Sequence, residues 1–149
     1  MKRESIRIAV IQLARVGDTI QSLMALRAAQ QLYPELEITF IAHESFSGAA
    51  ERCPWISRVI SLPTEDFIRP LLSGKKTAKS LIPEVAGWIE PILNQPFDIV
   101  LNWTYSEASS YLAGILPARV RLGYSRRRDG TLSVTDGWSH YIHSVVQTE

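Results

Sequence analysis

A guanidinium, a glycine and a carboxylate stand within one short stretch, Arg15-Val16-Gly17-Asp18, directly after the apolar run Ile6, Ile8, Ala9, Val10 and Ile11. An ionised Asp18 there can act as a general base and take the proton of an acceptor hydroxyl. Arg15 and Thr19 would orient polar groups of the molecule that carries that hydroxyl, and Gly17 would let the backbone come close to it. The same aspartate also reads as a helix N-cap, with Gln21 three residues later completing a capping-box pattern worth about 1 kcal/mol. The two roles compete, because the positive end of a helix favours the carboxylate anion. A phosphate cradle fails on composition. Gly17 is alone in this turn, where dinucleotide and P-loop turns need several glycines or a glycine followed by Lys-Ser/Thr.

Two basic runs come next. Residues 67–83 hold Arg69, Lys75, Lys76 and Lys79 without an acid, and residues 119–128 hold five arginines without an acid. In a parallel sheet the loops after the third and fifth strands open on the same edge as Asp18. Lys75, Lys76, Arg126, Arg127 and Arg128 are therefore expected to converge on one mouth and hold an anionic acceptor, the plain alternative being a solvated surface. Asn102 and Thr104, polar residues at the end of an apolar strand, are expected to face the same ligand. His43 reads as a hydrogen-bonded structural residue. His140 and His143 lie three apart with no cysteine or carboxylate partner beside them, so no metal site is expected. Trp55, Trp88, Trp103 and Trp138 read as core or interface residues.

These groups need strands and helices to hold them. Ile20, Leu23, Met24, Ala28 and Leu32 recur at helical spacing until Tyr33-Pro34, where proline disfavours continuing the helix. Residues 38–42 read as a second strand, 44–52 as a short helix, and 59–62 as a third strand. Residues 63–79 lack a clean period and read as an excursion over the surface. A helix follows with Ala78, Leu81, Ile82, Val85, Ile89, Ile92 and Leu93 on one pattern, interrupted by Pro83 and Pro91. Residues 99–103 read as a fourth strand, 107–115 as a helix, and 120–123 as a fifth strand. Arg126-Arg127-Arg128-Asp129-Gly130 reads as a turn, 131–135 as a short strand, and the tail from Trp138 as a helix or strand. Alternating strands and helices predict an α/β, Rossmann-like, mostly parallel sheet with helices on both faces.

At 149 residues one domain is expected. Sixteen Lys and Arg nearly balance fifteen Asp and Glu, so no global field draws the chain onto nucleic acid. The single Cys53 excludes an internal disulfide framework and fits a reducing compartment. No apolar run reaches bilayer-spanning length, and Gln12 and Arg15 break the N-terminal one before it can serve as a signal peptide. A cytoplasmic location is expected.

The run Ile8-Ala9-Val10-Ile11-Gln12-Leu13-Ala14-Arg15-Val16-Gly17-Asp18-Thr19-Ile20-Gln21-Ser22-Leu23, followed by Ala25-Leu26-Arg27-Ala28 and Tyr33-Pro34, resembles the N-terminal signature of the ADP-heptose lipopolysaccharide heptosyltransferases, glycosyltransferase family nine. Cys53-Pro54-Trp55-Ile56-Ser57-Arg58-Val59-Ile60, Phe97-Asp98-Ile99-Val100-Leu101-Asn102 and Arg119-Val120-Arg121-Leu122-Gly123-Tyr124 follow in the family's order. Met24 departs from the proline that many relatives carry there.

The resemblance implies the N-terminal half of a GT-B enzyme, holding the acceptor, while a C-terminal domain holds the nucleotide sugar. It implies inverting transfer of heptose from ADP-heptose to the lipopolysaccharide inner core, with no cofactor and no obligatory metal. The family's catalytic aspartate falls on Asp18, and its basic acceptor contacts map onto the two basic runs. The acceptor implied is a lipid-anchored anionic glycan, which brings peripheral contact with the inner membrane surface. Glu149 falls about where the family begins the helix leading to its second domain, so the nucleotide-sugar domain is expected to be absent and the isolated chain inactive. The alternative is a non-catalytic Rossmann-like module that binds an anionic glycan or a partner domain.

Overall fold

A computed structural model describes residues 5–146. The elements in chain order are β1 (Ile6–Gln12), α1 (Val16–Leu32), β2 (Leu36–His43), α2 (Glu44–Glu51), β3 (Arg58–Leu62), α3 (Thr64–Leu72), α4 (Ala78–Leu93), β4 (Phe97–Asn102), α5 (Glu107–Ile115), β5 (Ala118–Arg126), β6 (Leu132–Val134) and α6 (Gly137–Val146). The strands form one sheet in the order β3-β2-β1-β4-β5-β6. The first five are parallel, and β6 returns antiparallel on β5, with Arg126 opposite Leu132.

The apolar runs of β1 and β2 reflect burial from both sides. Ala9 and Ile11 pack with Ile92, Leu112 and Leu116 of the α4 and α5 layer. Ile8 and Val10 pack with Leu23, Leu26 and Ala50 of the α1 and α2 layer. Helices thus cover both faces, as expected for a doubly wound sheet.

The β4–β5 contact depends on one glycine. Gly123 lies at φ 89°, opposite Asn102 in the ladder. A Cβ built there would stand 2.1 Å from the Asn102 carbonyl oxygen, a distance no side chain tolerates.

Two expectations change, and one alternative left open is decided. Residues 64–72 form a helix, α3, rather than an irregular excursion. None of its residues is buried, and its ring contact is Phe67 against Trp88, edge-on at 6.3 Å, so no core pattern marks it in the sequence. Helix α1 buries Thr19, Ser22, Leu23 and Leu26, whereas Ile20, Met24 and Leu32 of the expected apolar face are exposed. The sheet edge beneath its first turns is polar, so the inward positions are hydroxyl residues. The tail from Trp138 is helical, α6.

Candidate functional site

Neighbouring strands β1 and β4 send their chains to opposite sides, which makes the gap beyond their carboxyl ends the ligand-binding crevice of such a sheet. The loops 13–15 and 103–106 flank it. Beneath them lies a closed set of hydrogen bonds. The Gln12 amide donates from Nε2 to Ser22 Oγ at 3.1 Å, and its Oε1 accepts from Ala14 N at 3.1 Å and Thr104 Oγ1 at 3.3 Å. Thr104 Oγ1 also accepts from Leu13 N at 2.7 Å. Asn102 donates from Nδ2 to the Tyr124 carbonyl at 2.6 Å and to Ser109 Oγ at 3.1 Å, while its Oδ1 accepts from Thr104 N at 2.9 Å. Buried polar groups satisfied in this way lock both loops to the sheet.

Asn102 and Thr104 therefore do not face a ligand. Both are buried, with their polar atoms engaged inside the protein. They stand where the sequence places them, at the strand end, and there they brace the crevice floor. Thr19 is likewise fully buried and donates its hydroxyl to the Arg15 carbonyl at 3.2 Å.

Helix α1 starts one turn earlier than a cap at Asp18 requires. Arg15 is the N-cap, in extended backbone and with no side-chain cap bond; its carbonyl takes the amide of Thr19 at 3.0 Å. Asp18 sits in the first turn, exposed, and its carboxylate has no hydrogen bond or ion pair among the described residues. Capping thus fails as its explanation. A Cβ at Gly17 would meet nothing within 4 Å, so the packing of this chain does not demand a glycine, and open space lies above the backbone next to the carboxylate.

Asp18 lines a cleft of about 280 Å³ together with Gln12, Gln21, Ser22, Ala25, Trp103, Tyr105 and Trp138. Trp138 arrives from α6 and is missed by the core-or-interface reading. Two links set its helix against the crevice. Tyr105 Oη lies 3.3 Å from Ser139 Oγ, and the Tyr124 ring lies 5.4 Å from that of His143. Asp136 starts α6 by accepting from Ser139 N at 2.8 Å. Burial pushes its carboxyl up, but the hydrogen bonds from Ser139, Gly123 and Trp138 outweigh burial and hold it below the usual carboxylate range.

The basic runs do not converge on Asp18. Strands β2, β1 and β4 separate β3 from β5, roughly 19 Å at the usual strand spacing. Neither Lys75, Lys76, Arg126, Arg127 nor Arg128 lines the cleft of Asp18. Lys76 pairs with Glu84 at 2.5 Å, and Lys75 is exposed. Arg126 donates to Ser110 Oγ, the Gly130 carbonyl and Glu107 Oε1 at 3.1, 2.8 and 3.0 Å, and lies over the Tyr111 ring at 4.4 Å. Arg127 and Arg128 are exposed and line a separate cavity of about 560 Å³ beside β5, with Arg121, Ser125 and Ser133. His43 caps α2, its Nδ1 accepting from Ser45 N at 3.1 Å. Among the described residues no cluster of three or more His, Cys, Asp or Glu side chains is placed to hold a metal ion.

No protein-family model matches the chain. A stretch of 89 residues is 28% identical to lipopolysaccharide heptosyltransferase 1 of Campylobacter coli, over 56% of this chain and 26% of that protein. Among solved structures, a glycosyl transferase of family 9 from Veillonella parvula superposes with a TM-score of 0.64 at 27% identity, over 84% of this chain and 33% of the other. The chain resembles the heptosyltransferases in sequence and in fold. Escherichia coli heptosyltransferase WaaC, solved with ADP-2-deoxy-2-fluoro heptose, shares the fold with a TM-score of 0.66 at 20% identity, over 79% of this chain and 36% of WaaC. The chain thus spans about a quarter to a third of the length of the relatives it matches.

Proposed function

We propose that this chain is the acceptor-binding, base-carrying part of a glycosyltransferase that moves heptose from ADP-heptose to a hydroxyl of the lipopolysaccharide inner core. The observation that carries the reading is the free carboxylate of Asp18, set at the β1/β4 crevice on an exposed first helical turn, with Gly17 leaving room beside it. Asp18 takes the proton of the acceptor hydroxyl as its oxygen attacks the anomeric carbon. The bond from that carbon to the diphosphate breaks, its electron pair leaves with ADP, and the anomeric configuration inverts. One carboxylate suffices for this single displacement. Arg15, exposed at the N-cap, is free to steady the acceptor.

The donor is bound by a second, nucleotide-sugar domain, in line with the partial coverage of the relatives and with the ADP-heptose analogue held by WaaC. The acceptor is a lipid-anchored anionic glycan, met at the cytoplasmic membrane surface. No helix among the described residues is long and apolar enough to cross a membrane. The exposed Ile68, Leu71 and Leu72 of α3, beside Lys75, suit peripheral contact with lipid. The test is transfer of heptose from ADP-heptose to a core acceptor by the full-length protein. Transfer lost on Asp18→Asn in a folded variant supports the reading, and normal turnover in that variant refutes it.

A further inference from the structure

Two hydroxyls on the inward side of α1 give their protons back to the helix. Thr19 Oγ1 donates to the Arg15 carbonyl at 3.2 Å, and Ser22 Oγ donates to the Asp18 carbonyl at 2.7 Å. Such bonds to the carbonyl four residues earlier are ordinary for Ser and Thr inside helices. The two differ in what stands behind them. Among the described residues Thr19 Oγ1 has no second protein partner, whereas the buried Ser22 Oγ also accepts from Gln12 Nε2 at 3.1 Å. The direction of this chain of bonds is fixed. Gln12 Oε1 takes the amide of Ala14, which can only donate, so the other end of the Gln12 side chain must be its donor. The Ser22 oxygen receives that donor, which leaves its single proton for Asp18. Gln12 Oε1 also accepts from Thr104 Oγ1, which accepts from Leu13 N. An unbroken path thus runs from the loops 13–15 and 103–106, through Gln12 and Ser22, to the backbone of Asp18.

The turn that carries Asp18 is otherwise weakly held. Its N-cap, Arg15, makes no side-chain cap bond, and Val16 is half exposed. Gly17 is a poor helix former with open space around it. The Asp18 carboxylate has no hydrogen bond or ion pair among the described residues. We infer that Ser22 is a positioning residue, which ties the first turn of α1 to the crevice floor and so sets where the Asp18 carboxylate stands. A general base must lie within hydrogen-bond reach of the proton it takes, and a misplacement of about 1 Å costs on the order of a hundredfold in rate. Ser22 touches no reacting atom and acts through the Asp18 backbone. The inference rests on the reading of Asp18 as the base and adds the residue that holds it in place.

The test compares Ser22→Ala with Ser22→Thr in the full-length protein, assayed for heptose transfer well below the melting midpoint of each. Ser22→Ala removes both the proton given to Asp18 and the acceptor of Gln12, so kcat should fall about tenfold or more while KM for the acceptor holds. Ser22→Thr keeps the hydroxyl and should restore most of that loss. Hydrogen–deuterium exchange supplies a readout that needs no turnover. In Ser22→Ala the amides of residues 15–22 should exchange faster than in the parent while those of β1 and β2 keep their rates, a local release that general destabilisation would not produce. A kcat at the parent level in Ser22→Ala, a loss that falls on KM instead, a loss that Ser22→Thr reproduces in full, or unchanged exchange in the first turn would overturn the proposal. Asp18→Asn separates the two claims. Normal turnover there refutes the base, whereas lost turnover there beside normal turnover in Ser22→Ala refutes only the role of Ser22.

Discussion

Two polar clusters lie one above the other at the carboxyl edge of β1 and β4, and they differ in what their polar atoms do. In the lower one, Gln12, Asn102, Thr104 and Ser109 bond one another and the two loops. In the upper one, Asp18, Trp103 and Trp138 offer polar groups with no protein partner among the described residues. A polar side chain at a strand end is thus no guide to function until its partners are known. Engaged groups hold the loops still, and only the disengaged ones are available to a ligand. The division predicts that substitutions above should damage chemistry without damaging the fold, and substitutions below the reverse.

Asp18→Asn is the sharpest test and carries the largest expected effect. In the full-length protein turnover should fall at least ~100-fold, the scale of a lost general base. The thermal midpoint should hardly move, because the carboxylate makes no hydrogen bond or ion pair among the described residues. A marked drop in the midpoint would assign Asp18 to the lower, structural cluster.

Asn102→Ala attacks the other side. It strips the amide from a fully buried site and leaves the Thr104 N–H and the Tyr124 carbonyl without their partner, at a cost of about 2–3 kcal/mol. At roughly 2–4 °C per kcal/mol for a domain of this size, denaturation should start clearly earlier. A variant as stable as the parent but unable to bind acceptor would move Asn102 into the upper cluster, where the sequence reading placed it.

Arg127→Ser combined with Arg128→Ser probes whether the arginine-lined cavity works with the cleft of Asp18. The pair is exposed, so stability should not change. KM for a phosphorylated core acceptor should rise by up to about tenfold while kcat holds, and the penalty should shrink as salt screens the remaining charge over a Debye length of about 10 Å at 0.1 M. Unchanged KM at low salt would leave these arginines as a solvated face.

Much of this was legible in the residues, and the misreadings share a cause. Asp18 stands out because an apolar strand, a short polar turn and a proline-free helical stretch follow one another in order, which fixes its place at the sheet edge. The cap was misplaced because aspartate is a better N-cap type than arginine, yet the turn closes through the Arg15 carbonyl, which any residue type supplies. Ile20 and Met24 look like a core stripe until Thr19 and Ser22 prove to face the polar floor. Asn102 would look the same in sequence whether its amide turned to a ligand or to the Tyr124 carbonyl. The convergence of the basic runs required knowing that β1 and β4 lie between β3 and β5. Trp138 carried no signal, because nothing in the pattern after the β5–β6 hairpin says that the chain returns to the β1/β4 crevice.

That return depends on Asp136, and the smallest effect tests it. Its carboxylate caps α6 and, held below its ordinary range by bonds from Ser139, Gly123 and Trp138, binds its proton less readily in the folded chain than in the unfolded one. A carboxyl lowered in this way contributes stability that is fully present above the unfolded value, about pH 4, and is lost as pH falls through the folded value. Asp136→Ala should cost about 1 kcal/mol at pH 7, the usual size of a lost cap. The gap between variant and parent in thermal melts should stay constant from neutrality down to about pH 5, then narrow on further acidification as the parent loses the same interaction. Because α6 carries Trp138, which lines the cleft of Asp18, the variant should also weaken acceptor binding by the full-length protein while leaving the buried floor of Asn102 and Thr104 intact. A gap that persists unchanged into acid would mean that the charge of Asp136 does not hold α6, and the upper cluster would owe its wall to the Tyr105–Ser139 hydroxyl contact and the Tyr124–His143 ring contact instead.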